Sequence, residues 1–543
     1  MTAITAAPGL LARAHTASEF AGTGQMLRLS LRRDRVIAPL WSLAIGLMPA
    51  LQIVSIKDLY ATQQQLDTFA ATTASSPALL AMYGPVFGSS LGSIGTWKAG
   101  AMYAMIAIAA VLTVIRHTRV EEETGRAELV GATSIGRFAG LTGTLLLTFG
   151  AATVAGIACT ASLLATGLPV AGSVAWGVSL AMSAIVWGAL AAVAAQVSTG
   201  ARIARGLALG ALGAAFAVRA VGDAGNGVLS WFSPLGWSLQ IRPFAEERWW
   251  VLLPLVALAA GATLLAYQLL RTRDIGAGLL AERPGPAMAG GSLAGPVGLA
   301  WRLQRGSMLA WTVGFALYGL LIGGSISSIG GMLEGSDNLR DIMASLGGSA
   351  DLEKSFIAYA IMMLAAAASA YSISSVLRLH EEENTGRAET VLAAAVGRVT
   401  YTTSHLLFAL LAPAVALLVA GVGIGLVWGA GDGDIGGRLG ESMAAVTVQL
   451  PAVWVVTAIA VLLFGVLPKY ASVAWAVLST MIGIELLGAF GTFPQWVMDL
   501  VPFVHPPKLP GGTFALTPLL WLLVVAVAGL AVGLAAFRRR DLR

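Results

Sequence analysis

The sequence is poor in charge and in cysteine. Only 11% of its 543 residues are charged, whereas 57% are hydrophobic; soluble domains carry about 25% charged residues. A soluble fold of this composition could not cover its surface with polar groups, so lipid must be the solvent for much of the chain. The same apolar fraction excludes disorder. The single cysteine, Cys159, excludes a disulfide within the chain and a thiolate metal cluster.

Histidine and lysine are also scarce, which bears on catalysis and cofactors. The five histidines are far apart in sequence, a pattern that favours solvated or singly hydrogen-bonded residues over metal ligands. They are His15, His117, His380, His405 and His505. No lysine stands in the Gly-x-x-x-x-Gly-Lys-(Ser/Thr) pattern of a P-loop. We therefore expect no metal site, no catalytic residue and no cofactor in this chain, and no ATP-hydrolysing machinery of its own.

Long apolar runs are what the sequence has instead. A spanning helix needs about 20 mostly apolar residues, and twelve runs meet or approach that length. We expect spans at 36–56, 99–115, 139–168, 173–197, 203–221, 249–270, 307–330, 356–377, 401–429, 443–466, 470–490 and 514–537. The polar and basic residues before the first run do not resemble a cleavable signal. The sequence predicts an all-α polytopic membrane protein with about 12 transmembrane helices.

The distribution of basic residues predicts the orientation. With the N-terminus in the cytoplasm, 24 of the 33 lysines and arginines fall on the inner side and 9 on the outer side. This asymmetry follows the positive-inside rule. We therefore expect a protein of the bacterial inner (plasma) membrane with both termini cytoplasmic. The net charge of +5 is then a topology signal, and nucleic acid is not expected as a partner.

The chain is a tandem duplication. Glu121-Glu-Glu-Thr-Gly-Arg-Ala-Glu128 follows the second run, and Glu381-Glu-Glu-Asn-Thr-Gly-Arg-Ala-Glu389 follows the eighth. Other pairs recur at similar offsets: Arg35 and Trp41 with Arg305 and Trp311, Gly136-Arg137 with Gly397-Arg398, and Arg271-Thr-Arg273-Asp274 with Arg538-Arg-Arg540-Asp541. This predicts a tandem 6+6 repeat with a pseudo-two-fold axis along the membrane normal.

The repeat divides the chain into two halves and a joining segment. We expect six-helix transmembrane halves at 1–271 and 307–543, joined by a proline- and glycine-rich cytoplasmic segment at 272–306. Stretches at about 18–33 and about 296–306 have the pattern of amphipathic helices on the inner surface. Each half would then be preceded by a surface helix.

The repeated acidic motif is the strongest functional signal. A single copy would be explained by a solvated turn closing a helical hairpin, but its recurrence at the same place favours two equivalent partner contacts. Gly125 and Gly386 permit a tight turn, and the Arg-Ala-Glu run after each favours a short helix. Clustered charges suit docking because they set register and on-rate.

The motif closing the second span resembles that of the permeases of type-2 ABC exporters. The likeness is greatest to the actinobacterial polyketide-antibiotic (tetronasin-like) and multidrug exporter group with two fused six-helix halves, and Ser233-Pro-Leu-Gly-Trp237 also fits. The resemblance implies two copies of a separate ABC ATPase subunit that binds ATP and Mg, and export of hydrophobic or amphiphilic small molecules such as antibiotics. It implies ATPase-coupling roles for Glu121, Glu122, Glu123, Gly125, Arg126, Glu128, Glu381, Glu382, Glu383, Gly386, Arg387 and Glu389. The second copy departs from the first by an extra Asn384, so the two contacts need not be equivalent.

The resemblance also implies a substrate path lined by the second and fifth spans of each half. Candidate lining residues are Trp97, Tyr103, Met105, Phe216, Arg219, Tyr359, Met362, Met363, Trp475, Met481 and Glu485. Methionine and aromatic side chains give an adaptable apolar surface, although ordinary helix packing or lipid contact is the more common role for each such residue taken alone. Charge inside a membrane usually faces a cavity or a partner, which singles out Arg219 and Glu485, but Arg219 can instead pair with Asp223 one turn on.

Two other interpretations stay open at this point. An ion-driven secondary drug transporter also uses two six-span halves, but it usually has several acidic residues within its spans, where Glu485 stands nearly alone. A membrane-embedded enzyme would need converging catalytic groups, and none is evident. The outer segments 222–248 and 491–513 are rich in aromatic residues and proline, which suits short re-entrant or interfacial pieces as well as plain loops.

Overall fold

The computed structural model describes residues 19–274, 276–279, 288, 290–293, 295–333, 351–394, 396–488 and 494–540. Within these ranges the chain is helical and has no strand. Eleven helices are long and apolar enough to cross a membrane, and one shorter apolar helix accompanies them. The prediction of an all-α polytopic membrane protein with about twelve spanning helices is confirmed.

The spanning helices agree with the apolar runs. The first six are Ile37–Leu59, Ala101–Glu123, Ala139–Ala165, Val170–Val197, Ala201–Ala224 and Trp249–Thr272. The next six are Pro296–Leu333, Leu352–Asn384, Arg398–Asp432, Ile435–Val466, Val473–Gly488 and Leu516–Arg539. The eleventh has only 16 residues, fewer than the roughly 20 that a straight crossing takes. They are called the first to twelfth spans below.

The chain divides into two compact units, Met1–Pro284 and Gly285–Arg543. In the N-terminal unit the fourth span is the central helix, buried against the second, third and sixth spans. Gly156 and Gly177 let the third and fourth spans approach closely, because a Cβ on either would lie within 2.6 Å of the other's carbonyl oxygen. In the C-terminal unit Gly465 and Gly533 do the same for the tenth and twelfth spans.

The surface helices differ between the units. Thr23–Arg33 is a separate helix that ends at Asp34, where the chain bends into the first span. The corresponding stretch at 296–306 does not form a separate helix, because it is the beginning of the continuous 38-residue seventh span. The stretch predicted to be amphipathic is therefore helical, but it continues directly into the seventh span instead of ending before it.

Three short helices lie between the first and second spans, and the hydropathy pattern gives no sign of them. They are Gln63–Ala74, Pro77–Tyr83 and Leu91–Lys98. Thr62 and Gln65 form a capping box at the start of the first of these helices. The Trp97 indole donates to the Gly84 carbonyl at 2.7 Å, which ties the third helix to the end of the second. Their stability comes from such contacts rather than from apolar length.

The segment before the sixth span also folds into short pieces, Leu229–Phe232 and Pro234–Gln240, followed by a tight loop. In this loop Arg242, Phe244 and Glu246 have φ angles of 54°, 63° and 58°, a left-handed backbone that side chains other than glycine rarely adopt. The Phe244 ring fills a socket formed by Gly92 and Gly172, where an added Cβ would lie 2.5 and 2.1 Å from ring atoms. This packing holds the loop in its strained conformation.

Candidate functional site

The N-terminal copy of the acidic motif forms a helical elbow. The second span breaks at Thr118, continues as Arg119–Glu123, and turns at Gly125, whose φ of 71° is left-handed. A short helix, Arg126–Gly131, follows. We call residues 119–131 the N-terminal elbow. The glycine and the short helix that the sequence predicts are both present.

The C-terminal copy has the same turn on a straighter support. The eighth span runs without a break to Asn384, and Gly386 turns the chain with a φ of 72°. The helix Arg387–Ala393 follows. We call residues 380–393 the C-terminal elbow. Nothing within 4 Å would meet a Cβ on Gly125 or Gly386, so both glycines serve their backbone angle alone.

The two turns fix how the copies correspond. When Gly125 is matched to Gly386, Glu122 corresponds to Glu383 and Glu123 to Asn384. The ion pairs described below support this register, because corresponding carboxylates bind corresponding arginines. Asn384 is therefore not an extra residue in the turn. It stands in place of the third glutamate, and the acidic run of the second copy begins one residue earlier, at Glu381.

Glu122 is the centre of a buried ionic network in the N-terminal unit. Its carboxylate accepts from Arg273 Nη2 at 2.6 Å and Nη1 at 3.0 Å, a bidentate pair, and from Arg119 Nη1 at 2.8 Å. Both guanidiniums are buried, with 3% and 0% of their side-chain surface exposed. Gln196 Oε1 accepts from Arg273 Nε at 2.6 Å. One carboxylate thus joins the second span to the end of the sixth.

Glu383 makes the corresponding pair in the C-terminal unit. It accepts from Arg540 Nη1 at 2.8 Å and Nη2 at 2.5 Å. The Arg540 guanidinium lies 5.0 Å from the ring centroids of both Phe464 and Phe537, so aromatic faces take the place that Arg119 and Gln196 have in the N-terminal unit. The eighth span is thereby joined to the end of the twelfth.

A second arginine completes each junction. Arg137 Nη2 donates to the Arg273 carbonyl at 2.6 Å, and Arg398 Nη1 donates to the Arg540 carbonyl at 2.7 Å. Three of the repeated sequence features, the acidic motif, the Gly-Arg pair and the Arg-x-Arg-Asp ending, therefore meet at one place in each unit. The duplication preserves a three-dimensional junction.

The other glutamates of the N-terminal elbow have separate partners. Glu121 pairs with Arg33 of the surface helix and lies 3.5 Å from Arg126. Glu123 Oε1 accepts from the backbone N–H of Ala201, the first residue of the fifth span, at 2.6 Å. The acidic run that suggested a docking surface is thus used largely inside its own unit. A cavity of about 570 Å³ lies between this elbow and the surface helix.

The glutamates of the C-terminal elbow are used in part in the same way. Glu382 pairs with Arg387 at 3.0 Å, as Glu121 does with Arg126, and lies 4.0 Å from Arg378. Glu381 is exposed. Asn384 contacts His380 on its own helix at 3.0 Å. The C-terminal elbow therefore makes no contact that corresponds to the one between Glu123 and Ala201 within the part of the chain that the structure describes.

Both elbows expose the same short helical face after the glycine turn. Arg126, Glu128 and Leu129 are exposed, and Leu129 presents 75% of its surface. The corresponding residues Arg387, Glu389 and Thr390 are exposed as well. Each elbow thus presents an arginine and a glutamate two positions apart on one helical turn, which is a compact surface for a partner.

One buried acid beside the N-terminal elbow was missed in the sequence. Asp34, at the bend after the surface helix, pairs with Arg116, and His117 Nε2 lies 3.1 Å from its Oδ2. Burial raises the pKa of Asp34, but the hydrogen bonds and charges of His117 and Arg116 outweigh it and hold that pKa below its usual range. The signal was present in the sequence, because Asp34 immediately precedes the repeated Arg35.

The corresponding residue of the second half is neutral. Gln304 precedes the repeated Arg305 and is buried. It accepts from Ser375 Oγ at 2.6 Å and from the Tyr371 hydroxyl at 3.2 Å, and its amide nitrogen lies 3.5 Å from His405 Nδ1. A hydrogen-bond network therefore replaces the ionic one.

The candidate path residues of the N-terminal unit have different environments. Trp97 and Tyr103 are buried, and the Tyr103 hydroxyl bonds to Ser179 at 2.8 Å. Met105 is 46% exposed. Arg219 pairs with Asp223 at 3.1 Å, donates to the Ala81 and Met82 carbonyls, and lies over the Phe216 ring. The alternative in which Arg219 is neutralised by Asp223 is thus the one observed.

The candidates of the C-terminal unit range from buried to exposed. Met363 lines an apolar groove of about 450 Å³ between the seventh and eighth spans, with Trp311, Phe315 and Tyr318. Trp475 is 40% exposed, Met362 is buried, and Tyr359 and Met481 are partly buried.

Glu485 lies near the end of the eleventh span and is buried, with 7% of its surface exposed. Its Oε2 has no hydrogen-bond partner among the described residues. Lys508 and Tyr359 lie close enough to interact with it electrostatically. It thus differs from Arg219, whose guanidinium is bound by the Asp223 carboxylate and by two carbonyls.

Two comparisons with known proteins bear on this arrangement. A family model described as the C-terminal domain of the multidrug efflux system permease Rv1217c matches residues 293–538. The multidrug efflux system permease protein Rv1217c of Mycobacterium tuberculosis (strain ATCC 25618 / H37Rv) is 51% identical over 530 residues, which cover 97% of each chain. On this similarity and on its helical membrane architecture, the chain belongs to the same family of transmembrane efflux permeases as that protein.

Proposed function

We propose that the chain is the transmembrane permease subunit of an ATP-driven ABC exporter that moves hydrophobic or amphiphilic small molecules, such as antibiotics and drugs, out of the cell. The observation that carries the proposal is the pair of elbows, which have the same turn, the same anchoring Glu–Arg pair and the same exposed face. The similarity to a multidrug efflux permease supports the substrate class.

The ATPase is a separate subunit in this proposal, present in two copies that bind ATP and Mg. Each copy contacts one exposed elbow face, Arg126, Glu128 and Leu129 in one half and Arg387, Glu389 and Thr390 in the other. The buried Glu122–Arg273 and Glu383–Arg540 pairs then pass the movement of each elbow to the last span of its half. Both termini lie in the cytoplasm with the elbows.

The substrate path is proposed from Met363, which lines an open groove, and from Glu485, a buried acid with one oxygen that has no partner among the described residues. Met363 and its groove offer an apolar surface with aromatic edges, which suits bulky amphiphiles. Glu485 adds one acid on the eleventh span. Trp97, Tyr103 and Arg219 serve mainly to pack the N-terminal unit, since each makes hydrogen bonds within it.

The decisive test is co-expression with candidate ATPase subunits, followed by co-purification and substrate-stimulated ATP hydrolysis. Because like charges at a contact cost several kcal/mol, the double variant Arg126→Glu, Arg387→Glu is expected to reduce ATPase co-purification by at least about tenfold, equivalent to about 1.4 kcal/mol. Arg539→Glu is the matched control, an exposed arginine at the end of the twelfth span outside both elbows. Equal co-purification of both variants would contradict the proposal.

A second candidate function is an ion-driven secondary drug transporter. The observation that favours it is Glu485, a buried acid on a spanning helix with one oxygen left without a partner among the described residues. Drug efflux by the purified chain in proteoliposomes, driven by a proton or sodium gradient and independent of ATP and of any companion, would establish this alternative.

A further inference from the structure

The fifth span starts without a cap from its own sequence. Ala201–Ala224 follows Gly200, which has no side chain to accept from the unpaired N–H groups of the first turn. Glu123, which lies 78 positions earlier on the elbow, supplies the acceptor: its Oε1 lies 2.6 Å from Ala201 N. A carboxylate at a helix N-terminus is also favoured by the helix dipole.

The connection leading to the fifth span is shaped around this contact. A Cβ on Gly200 would lie 3.2 Å from Glu123 Oε1, so the glycine leaves room for the carboxylate. Arg119, on the same elbow, donates through Nε to the Ala195 carbonyl at the end of the fourth span. The elbow therefore binds the connection between the fourth and fifth spans at both of its ends.

The C-terminal half lacks the corresponding contact among its described residues. Asn384 stands in the place of Glu123 and contacts His380, four residues earlier on its own helix, at 3.0 Å. The eleventh span, which corresponds to the fifth, is preceded by a short helical turn, Pro468–Tyr470, closed by backbone hydrogen bonds. Both halves thus have the Glu–Arg junction. Among the described residues, only the N-terminal elbow also caps a later span of its half.

We propose that Glu123 is a positioning residue that couples the N-terminal elbow directly to the fifth span, so that the two halves respond unequally to the ATPase. This rests on the proposed function, in which each elbow receives the motion of an ATPase subunit. The N-terminal elbow moves its fifth span through a charged hydrogen bond at the first turn. Among the described residues the C-terminal elbow makes no such bond to its eleventh span, and the ion pair that joins it to the last span of its half is the one between Glu383 and Arg540.

The first test concerns the cap alone and uses the full-length permease without an ATPase. In Glu123→Ala, amide hydrogen exchange over the first turn of the fifth span is expected to speed up by roughly three- to thirtyfold, the range for loss of a helix cap. Glu123→Gln keeps an oxygen acceptor and should restore most of the protection. Asn384→Ala, the matched control, should leave exchange at the start of the eleventh span unchanged. Unaltered exchange in Glu123→Ala would overturn the proposal.

The second test concerns coupling and uses the complex with the ATPase in proteoliposomes. The measured quantity is the amount of drug moved per ATP hydrolysed, which a loss of folded protein does not change. It is expected to fall by at least about twofold in Glu123→Ala, since residues on a coupling route alter it by roughly this much, and to recover in Glu123→Gln. Asn384→Ala should keep the wild-type ratio. Faster exchange with an unchanged ratio would overturn the coupling role, whereas absence of any ATPase complex would overturn the proposed function and leave the cap established by the first test.

Discussion

The two elbows are each joined to the last span of their half by a Glu–Arg pair, but the surroundings of that pair differ. In the N-terminal unit one carboxylate, Glu122, compensates two buried guanidiniums, those of Arg119 and Arg273. In the C-terminal unit Glu383 meets a single guanidinium, that of Arg540, which two aromatic rings also stabilise. The comparison shows that duplication kept the Glu–Arg pair that joins two spans and let its surroundings diverge.

The largest expected difference in stability between the two junctions comes from removing the central carboxylate of each. Glu122→Ala removes the carboxylate that binds two buried arginines, and breaking such buried pairs costs about 3–5 kcal/mol. Glu383→Ala should cost less, about 2 kcal/mol, because hydrogen bonds to charged groups contribute about that much and Arg540 keeps its aromatic contacts. Thermal unfolding of each variant in detergent measures the difference. Equal losses of stability would show that the aromatic rings do not compensate Arg540.

The exposed faces offer the next largest contrast. Leu129 in the N-terminal elbow is replaced by Thr390 in the C-terminal elbow, so only one face has a large apolar residue. If both faces dock a partner, Leu129→Asp should weaken ATPase binding by about 1–2 kcal/mol, since truncated contacts of this size fall in that range. Thr390→Asp should cost less. The affinity of each variant for the ATPase subunit, measured in a surface-binding assay, tests this. A larger loss in Thr390→Asp would contradict the expectation that the face with Leu129 contributes more to binding.

Glu485 and Arg219 provide a contrast within the spans. Arg219 is held by Asp223 and by two carbonyls, so Arg219→Gln is expected to lower stability. Glu485→Gln keeps the size of the side chain and should change drug resistance or substrate range while the protein still folds. Resistance profiles in cells, with expression levels as the control, separate the two effects. Unchanged resistance together with unchanged substrate-stimulated ATPase would remove Glu485 from the path.

The smallest expected effect is a difference in acid sensitivity between Asp34 and Gln304. Because the pKa of Asp34 is lowered in the folded protein, its ionised form stabilises the fold. That contribution is complete above the ordinary aspartate pKa of about 3.9 and is lost as the pH falls through the lower, folded value. In this acid range the free energy of unfolding of Asp34→Asn should depend less on pH than that of the wild type. Gln304→Asn should leave this pH dependence unchanged. Parallel curves for wild type and Asp34→Asn would refute the ionic role.

Much of this architecture follows from the sequence because its signals are local and repeated. Apolar length specifies the spans, and the duplicated motif locates both elbows. The pairing of charges does not follow, because Glu122 and Arg273 are brought together only by the packing of the spans between them. The linear comparison makes Asn384 an extra residue for the same reason, because it counts identical letters. The turn at Gly386 and the arginine partners fix the correspondence instead.

The short helices between the first and second spans show the other limit. Gln63–Ala74 mixes polar and small residues, and it is stable through its cap and through aromatic contacts such as that between Phe69 and Trp97. Such segments gain their stability from tertiary packing rather than from length. The break between the surface helix and the first span is similar, because it depends on a bend that hydropathy does not encode.

The backbone of the loop that carries Phe244 determines how this segment responds to substitution. Three residues there hold a backbone conformation that costs side chains other than glycine about 1 kcal/mol or more each. Arg242 also stacks on Phe87, so replacing it would remove a contact, whereas Glu246 is exposed at the rim. Glycine at position 246 would relax the backbone with little packing lost. Glu246 is therefore a site in this loop where substitution by glycine is expected to raise the free energy of unfolding rather than lower it.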